Sequence, residues 1–528
     1  MAMFLGCKEL SVRFYHRSEN VLTQINLAIH KGEKVLVLGP SGSGKSTLIS
    51  TLAGIIPEHV EAEVNGEVFR RKAVGVMFQD PDSQFCMLHV DEEIAFSLEN
   101  QSIPRDEMDT IIADLMVKVG LNIDKKTPIE ALSGGMKQRL ALACLLALEP
   151  EVLFFDEPTA QLDPEGREGI FALLRQIGEE TNQTMIVVEH VLDGCIEWMD
   201  RVIIMNEHGQ IMGDGEPAEM LRLFSNQMQE AGIWRPKVYP EKWDDVVRNP
   251  SHPLAINLSK KLELKRLEET QYGNNDVVIQ TEQVEIGYGK KTIVEDINVT
   301  IHKGEWVSIV GQNGSGKSTF LQSLLRLVAS QKGNVHIQDV ELKKWSERDL
   351  YEQAGFVFQN PEWQFITDTV FEEVAFGGRQ RNWPEELIQE KTKQLLQEFS
   401  LESYHDVHPF TLSLGQKRRL SVATMLWFDQ ALLLLDEPTF GQDEKTAQEL
   451  LKRLKERQEQ GTTIIMVTHD MDVVDDFSDQ VILFHNGRVT YQGTPTGLFS
   501  DQTRLHESAI IPPLHYKLMH ERKEFISV

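Results

Sequence analysis

The sequence predicts an α/β fold made twice over: two tandem phosphate-loop domains, each built on a parallel sheet with crossover helices. Three observations carry this. The segment Gly39, Pro40, Ser41, Gly42, Ser43, Gly44, Lys45, Ser46, Thr47 and the segment Gly311, Gln312, Asn313, Gly314, Ser315, Gly316, Lys317, Ser318, Thr319 both fit G-x-x-x-x-G-K-[ST]. Each follows a short apolar run and precedes a helix-compatible stretch, the setting in which such a loop wraps a polyphosphate. Other signposts recur in the same order, with Lys45 and Lys317 standing 272 residues apart. The spacing from Lys45 to Asp156 is 111 residues and from Lys317 to Asp436 is 119, while Asp156 to His190 spans 34 and Asp436 to His469 spans 33. Finally, short buried runs alternate with helix-length stretches, as in βαβ units.

Each copy opens with alternating apolar residues and turns, as half-buried strands do, before its loop. The loop glycines let backbone N–H groups and a helix N-terminus face an anion, with Lys45 and Lys317 reaching the β and γ phosphates and Ser46 and Ser318 holding Mg2+. A mostly helical middle follows. At its end Leu132-Ser133-Gly134-Gly135 and Leu412-Ser413-Leu414-Gly415 open apolar helices, each serine 23 residues before its aspartate. The serine suits an N-cap, and the exposed N–H groups beside glycine make a second anion site. Asp156 and Asp436 then close buried strands, placed to hold Mg2+ through water, and the adjacent Glu157 and Glu437 suit a general base for an attacking water. His190 and His469 end the next strands, where an imidazole can sense a γ-phosphate. Each copy finishes in a strand pair, the second around Asn486-Gly487, a strong hairpin turn. These marks divide the chain into a first domain at 1–240, a linker at 241–275 with a short solvated helix near Lys260–Thr270, and a second domain at 276–528.

Composition narrows the partners. The 528 residues carry 53 Lys+Arg against 81 Asp+Glu, a net charge of −28, which argues against nucleic acid held through its phosphate backbone. The four cysteines (Cys7, Cys86, Cys144, Cys195) are scattered, so neither a disulfide framework nor a zinc site is expected, and a reducing cytosol fits. The N-terminus lacks the basic start and apolar core of a signal peptide. No apolar stretch approaches the roughly 18 residues that span a bilayer, so work at a membrane requires spanning helices from other chains.

With two phosphate loops, two Asp-Glu strand ends and two Ser-x-Gly helix starts on the page, the chain resembles the ATP-binding-cassette (ABC) ATPases over nearly all its length except the linker. The resemblance implies RecA-like domains, each with an antiparallel β subdomain and a helical subdomain. It implies that the halves dock head to tail around two ATP molecules, so that Lys45, Asp156, Glu157 and His190 face Ser413 and Gly415. Lys317, Asp436, Glu437 and His469 would face Ser133, Gly134 and Gly135. Gln79 and Gln359 match the family's Q-loop glutamine, which joins the Mg2+ shell and relays to a membrane partner. Tyr288 matches the aromatic that stacks on adenine, with Phe14, or alternatively Tyr15, as its counterpart. Leu414 departs from the pattern, which has glycine there, and a branched side chain would crowd the γ-phosphate. The site built on Lys45 is therefore expected to be the slower.

A finer signature, Q-[DN]-P-[DE]-x-Q-F, runs from Gln79 to Phe85 and from Gln359 to Phe365. It is similar to the energy-coupling-factor (ECF) transporters, and implies a peripheral ATPase at the cytoplasmic face of the cell membrane. Its partners would be a transmembrane (T) subunit and a membrane substrate-binding (S) subunit, importing a vitamin, a vitamin precursor (thiamine-related among them) or a metal ion. Asp80, Asp82, Asp91, Glu92, Glu93, Glu362, Glu372 and Glu373 are expected to form an acidic rim for arginine-bearing helices of that partner. Two other readings compete: a tandem cassette protein acting on ribosomes, disfavoured by the acidic chain and short linker, and a tandem sugar-import ATPase, disfavoured by the intact second loop.

Overall fold

Strands whose odd and even residues are both apolar must be covered on both faces. The computed structural model, which describes residues 3–15, 19–160, 162–268, 276–289 and 291–527, meets that demand twice. It divides into two compact units, Met1–Lys242 with Asp443–Thr446, and Trp243–Gln442 with Ala447–Val528.

The first unit contains β1 (Leu5–Phe14), β2 (Leu22–Ile29), β3 (Lys34–Leu38), β4 (Ala62–Phe69), β5 (Val74–Met77), β6 (Val152–Asp156), β7 (Thr184–Val188), β8 (Arg201–Met205) and β9 (Ile211–Gly215). Its central sheet has the order β5-β6-β7-β3-β8-β9, parallel except for β9, while β2-β1-β4 form a separate antiparallel sheet. Alternation along β3 divides the core. Val35 and Val37 face the antiparallel sheet and the helix Lys45–Ala53, whereas Leu36 and Leu38 join the cluster that contains the helices Val90–Asn100, Arg105–Lys118 and Gly134–Ala147.

The second unit repeats the plan. It contains β10 (Val277–Tyr288), β11 (Lys291–Ile297), β12 (Thr300–His302), β13 (Trp306–Val310), β14 (Ser330–Ile337), β15 (Val340–Glu341), β16 (Ala354–Val357), β17 (Leu432–Asp436), β18 (Thr463–Val467), β19 (Gln480–His485) and β20 (Arg488–Gly493). The central order is β16-β17-β18-β13-β19-β20, and β11, β10, β14, β15 and β12 make the antiparallel sheet. Asn486 (φ 48°) and Gly487 (φ 76°) turn β19 into β20 with two left-handed residues, the demand that makes Asn-Gly a hairpin signal.

The stretch expected as linker carries more structure than anticipated. Trp243–Arg248 and the 16-residue Pro253–Glu268 are helices, and they pack with the terminal helix Leu514–Ser527 through Val246, Ala255 and Leu518. So few apolar contacts suffice here that no helical periodicity stands out in the sequence. Residues 269–275 of that stretch lie outside the described residues. Among the described residues no helix is long and apolar enough to cross a membrane.

Candidate functional site

In each unit the phosphate loop, the Asp-Glu pair and the histidine meet where neighbouring parallel strands end, the edge at which open α/β sheets place their ligands. β3 runs directly into the first loop, and Gly44 (φ 88°) turns it into the helix Lys45–Ala53. A Cβ on Gly44 would stand 2.8 Å from both Leu22 Cδ2 and the Val21 carbonyl oxygen, so only glycine fits. Lys45 is buried, and its ammonium folds back to donate to the carbonyls of Gly39 (2.8 Å) and Pro40 (2.9 Å). Burial lowers its pKa, against the opposing charges of Glu157 and Asp156.

Asp156, at the end of β6, is pushed up to about 6 by burial, with the Ser46 hydroxyl working against the shift. Its Oδ1 is buried without a partner among the described residues. Glu157 holds a left-handed backbone (φ 51°), fixed by its N–H donating to Val188 O at 2.9 Å. Gln79 Nε2 donates to one carboxylate oxygen at 2.8 Å and His190 Nε2 stands 2.9 Å from the other. Burial raises the Glu157 pKa, but His190 and Lys45 prevail and hold it below the ordinary value.

The second unit matches in placement and differs in charge state. Lys317 donates to the carbonyls of Gly311 and Gln312, both at 2.8 Å. Asp436 is raised by burial, opposed by Ser318 and Lys317, and its Oδ1 also lacks a partner among the described residues. Glu437 (φ 52°) donates its N–H to Val467 O at 3.0 Å, and His469 Nε2 is 3.4 Å from its carboxylate. Here burial and the neighbouring Asp436 charge win, and the carboxyl is pushed up. Gln359 is exposed, with no bond to Glu437 among the described residues, so the structure does not bring it to the site as it brings Gln79. A buried cation lies nearby instead. Arg418, on the helix Leu414–Met425, donates to Phe358 O at 2.8 Å, and burial brings it down to about 10 against the charges of Glu437 and Asp436. No sequence motif singles out Arg418, although laying the two copies together puts it opposite Gln138, whose buried amide has no partner among the described residues.

In both units the donor set fits Mg2+: a serine hydroxyl, an aspartate with an orphaned oxygen and, in the first, a glutamine amide within reach of the same pocket. Hard oxygen ligands few in number suit an ion that keeps water and substrate phosphates in its shell. Among the described residues no group of three or more His, Cys, Asp or Glu could hold a metal unaided.

Ser133 and Ser413 cap their helices as expected, accepting from Met136 N and Gln416 N, each at 3.4 Å. Gly134, Gly135 and Gly415 lie in the first turns, and Leu414 leans toward Gly441, on which a Cβ would stand only 3.2 Å from Leu414 Cδ2. Gln161, the counterpart of Gly441, lies outside the described residues. Of the adenine candidates, Tyr288 is exposed at the end of β10, Phe14 is half-buried against the antiparallel sheet, and Tyr15 beside it is exposed.

The acidic rim requires correction at Asp91, Glu93 and Glu373, which are buried. Glu93 is buried and accepts from Cys86 N (2.9 Å) and Met87 N (2.7 Å), and Glu373 accepts from Ile366 N (3.0 Å) and Thr367 N (2.9 Å). Asp91 pairs with Lys126, Glu92 with His89, Asp82 with Lys137, Glu362 with Lys417 and Glu372 with Arg379. Glu93 and Glu373 thus fasten the fold, because backbone N–H groups left by the turn had to find acceptors, and Asp91 is buried beside Lys126, whereas Asp80, Asp82, Glu92, Glu362 and Glu372 stay at the surface.

Residues 22–160 and 294–440 each match the family model described as ABC transporter. The provisionally named HMP/thiamine import ATP-binding protein YkoD of Bacillus subtilis (strain 168) is 38% identical, over 98% of this chain and 97% of its own length. A provisionally named ABC transporter ATP-binding protein of Caldanaerobacter subterraneus subsp. tengcongensis is 33% identical over 99% of this chain and 97% of its own. A solved structure, cbiO1 from Clostridium perfringens, described as part of the ABC transporter complex cbiONQ, is 31% identical with a TM-score of 0.40, over 47% of this chain and 100% of its own.

Proposed function

The chain belongs to the ABC transporter family as an ATP-binding component, and on that premise we propose that it hydrolyses ATP to drive an importer of the ECF type. The observation that carries the chemistry is the grouping of Lys45, Asp156, Glu157, Gln79 and His190 at one edge of the sheet, repeated by Lys317, Asp436, Glu437 and His469. ATP arriving at the loop draws the Lys45 and Lys317 ammonium groups off their own loop carbonyls and onto the β and γ phosphates. Ser46 and Asp156 with Gln79, and Ser318 and Asp436 in the second unit, would hold Mg2+, which when bound would neutralise charge on the phosphates; Gln359, exposed as it stands, would have to turn inward to join them. Glu157 and Glu437 orient and deprotonate the attacking water, with His190 and His469 steadying the carboxylate and sensing the γ-phosphate. Ser133, Gly134 and Gly135 of one half, and Ser413 and Gly415 of the other, complete the opposite half's site, and Tyr288 and Phe14 stack on adenine.

The likeness to a protein named for HMP/thiamine import, together with the doubled Q-x-P-x-x-Q-F signature, supports a thiamine-related precursor as cargo. Transmembrane T and substrate-binding S subunits supply the bilayer helices, and the chain stays peripheral on the cytoplasmic face, with no nucleic-acid partner. Beside the Q-x-P-x-x-Q-F turns, Leu88 (76% exposed) in the first unit and Trp363 (68%) and Ile366 (66%) in the second offer the T subunit apolar anchors among the rim acids that stay at the surface.

Two measurements test this reading. Combining Glu157→Gln with Glu437→Gln should reduce ATP turnover by about 100-fold or more, the lower range for loss of a general base. Trp363→Glu with Ile366→Glu should release the protein from membranes that carry its partners while ATP binding persists. Turnover that survives the first pair contradicts the catalytic assignment. Membrane attachment that survives the second contradicts the docking surface.

A further inference from the structure

Beyond the phosphate loops, the two units repeat a second charged arrangement. In the first, Lys137, four residues past Ser133, holds its ammonium 2.7 Å from Asp82, three residues past Gln79. In the second, Lys417 meets Glu362 at 2.5 Å with the same two offsets. Both acids stand in one-turn helices, Pro81–Gln84 and Pro361–Gln364, and both lysines in the first turn of the helices Gly134–Ala147 and Leu414–Met425. The lysine side chains are only 18% and 14% exposed, so each stem lies along packed surface and delivers its charge to one place. Aspartate serves in one copy and glutamate in the other, so the pairing, not the particular acid, is what recurs. The second unit adds hydrogen bonds across the same gap, from Arg418 to Phe358 O (2.8 Å) and from Gln364 Nε2 to Ser421 O (2.9 Å) and Thr424 Oγ1 (3.0 Å).

We propose that Lys137 and Lys417 are positioning residues, each strapping the helix tip that bears Ser133 or Ser413 to the turn that follows Gln79 or Gln359 in its own unit. A displacement of that turn then moves the tip with it. Neither lysine touches nucleotide; each acts through the serine four residues before it. The inference rests on the reading of these tips as γ-phosphate contacts.

The test is the ATP turnover of the full chain carrying Lys137→Asp, Asp82→Lys, or both, and likewise Lys417→Asp, Glu362→Lys, or both. A single reversal sets like charges together at the tip, and KM for ATP is expected to rise about 3- to 10-fold, attraction lost and repulsion gained. The combined exchange is expected to bring KM back to within about 2-fold of the starting value. An unmoved KM in the single variants, or a combined exchange no better than either single one, overturns the strap. So does a fall in kcat with KM unmoved, the mark of a merely structural role. Where a reversal fails to fold, Lys137→Arg serves, since it keeps the charge, and a raised KM in that variant overturns the proposal. Turnover surviving in the doubled Glu157→Gln, Glu437→Gln chain overturns the site reading itself; turnover abolished there but indifferent to the reversals overturns the strap alone.

Discussion

Glu157 and Glu437 adopt φ angles of 51° and 52°, a conformation that costs a non-glycine residue on the order of 1 kcal/mol or more. The structure holds them there by backbone hydrogen bonds on both sides, their N–H groups donating to Val188 O and Val467 O and their carbonyls accepting from Ala160 N and Phe440 N, and so aims a carboxylate across the sheet edge. Glu189, next to His190, shows the opposite economy. It is fully buried, accepts from Thr159 N (3.1 Å), Thr159 Oγ1 (2.6 Å) and His190 N (3.1 Å), and burial still raises its pKa above the ordinary value. Between the unfolded pKa near 4.5 and the higher folded one, the unfolded chain binds fewer protons, so this residue's contribution to stability falls as pH rises. Glu189→Gln removes that loss. Urea unfolding should find the variant close to the parent at pH 4 and progressively more stable than it as pH rises above 5; a gap that shrinks with pH would contradict the assignment. Residues named by their own chemistry, Lys45, Asp156, Glu157 and His190, were legible because a motif spells them. Glu93 and Glu373 were not, because a carboxylate that caps buried N–H groups reads in sequence like one that faces water.

Among the elements, the helix that begins at Leu414 is where the copies diverge most usefully. A leucine replaces the first helix's Gly134, and the loop after β17 offers Gly441, whose missing side chain leaves Leu414 its room. The sequence displayed both differences but not that one accommodates the other, since the two residues lie 27 positions apart and only the fold brings them together. Glu157 is held below its ordinary value while burial and Asp436 push Glu437 up, so the carboxylates alone would favour the Lys45 site, and the slowness expected there rests on the crowding that the branched Leu414 brings to a γ-phosphate. Where that crowding outweighs the carboxylate difference, Glu157→Gln should cost less steady-state ATP turnover than Glu437→Gln, and Leu414→Gly should narrow the difference. Equal losses in the two glutamine variants would refute the asymmetry. The strands and phosphate loops were foreseen because both carry strong local signals, apolar runs and glycine spacing. The helix Trp243–Arg248 was not, and of Pro253–Glu268 only the part from Lys260 was expected, because their order comes from the terminal helix they pack against.

At the scale of the molecule, the duplication yields two units with their own buried cores, and each core should unfold as its own cooperative step. The second unit is closed by its terminal helix in a way the motifs gave no hint of. Tyr516 is fully buried, 5.2 Å from the Phe499 ring, with its hydroxyl 2.9 Å from Thr496 Oγ1. His515 beside it lies 3.2 Å from the buried carboxylate of Asp475, and Lys261 of the helix Pro253–Glu268 reaches the adjoining Asp476 at 2.9 Å. Asp475 belongs to the helix Met471–Phe477, which Asp470 caps directly after His469, so the terminal helix buttresses the segment that carries a site histidine. Tyr516→Ala empties that core at a cost of about 3–5 kcal/mol. At roughly 2–4 °C per kcal/mol for a unit of this size, calorimetry should show one transition falling by on the order of 10 °C while the other stays in place. Turnover assigned to Glu437 should fall in the same variant well below the shifted transition, as the buttress behind His469 loosens. Two transitions moving together would mean that the units do not unfold separately, and an unchanged Glu437-dependent rate would mean that His469 is held without help from the terminal helix.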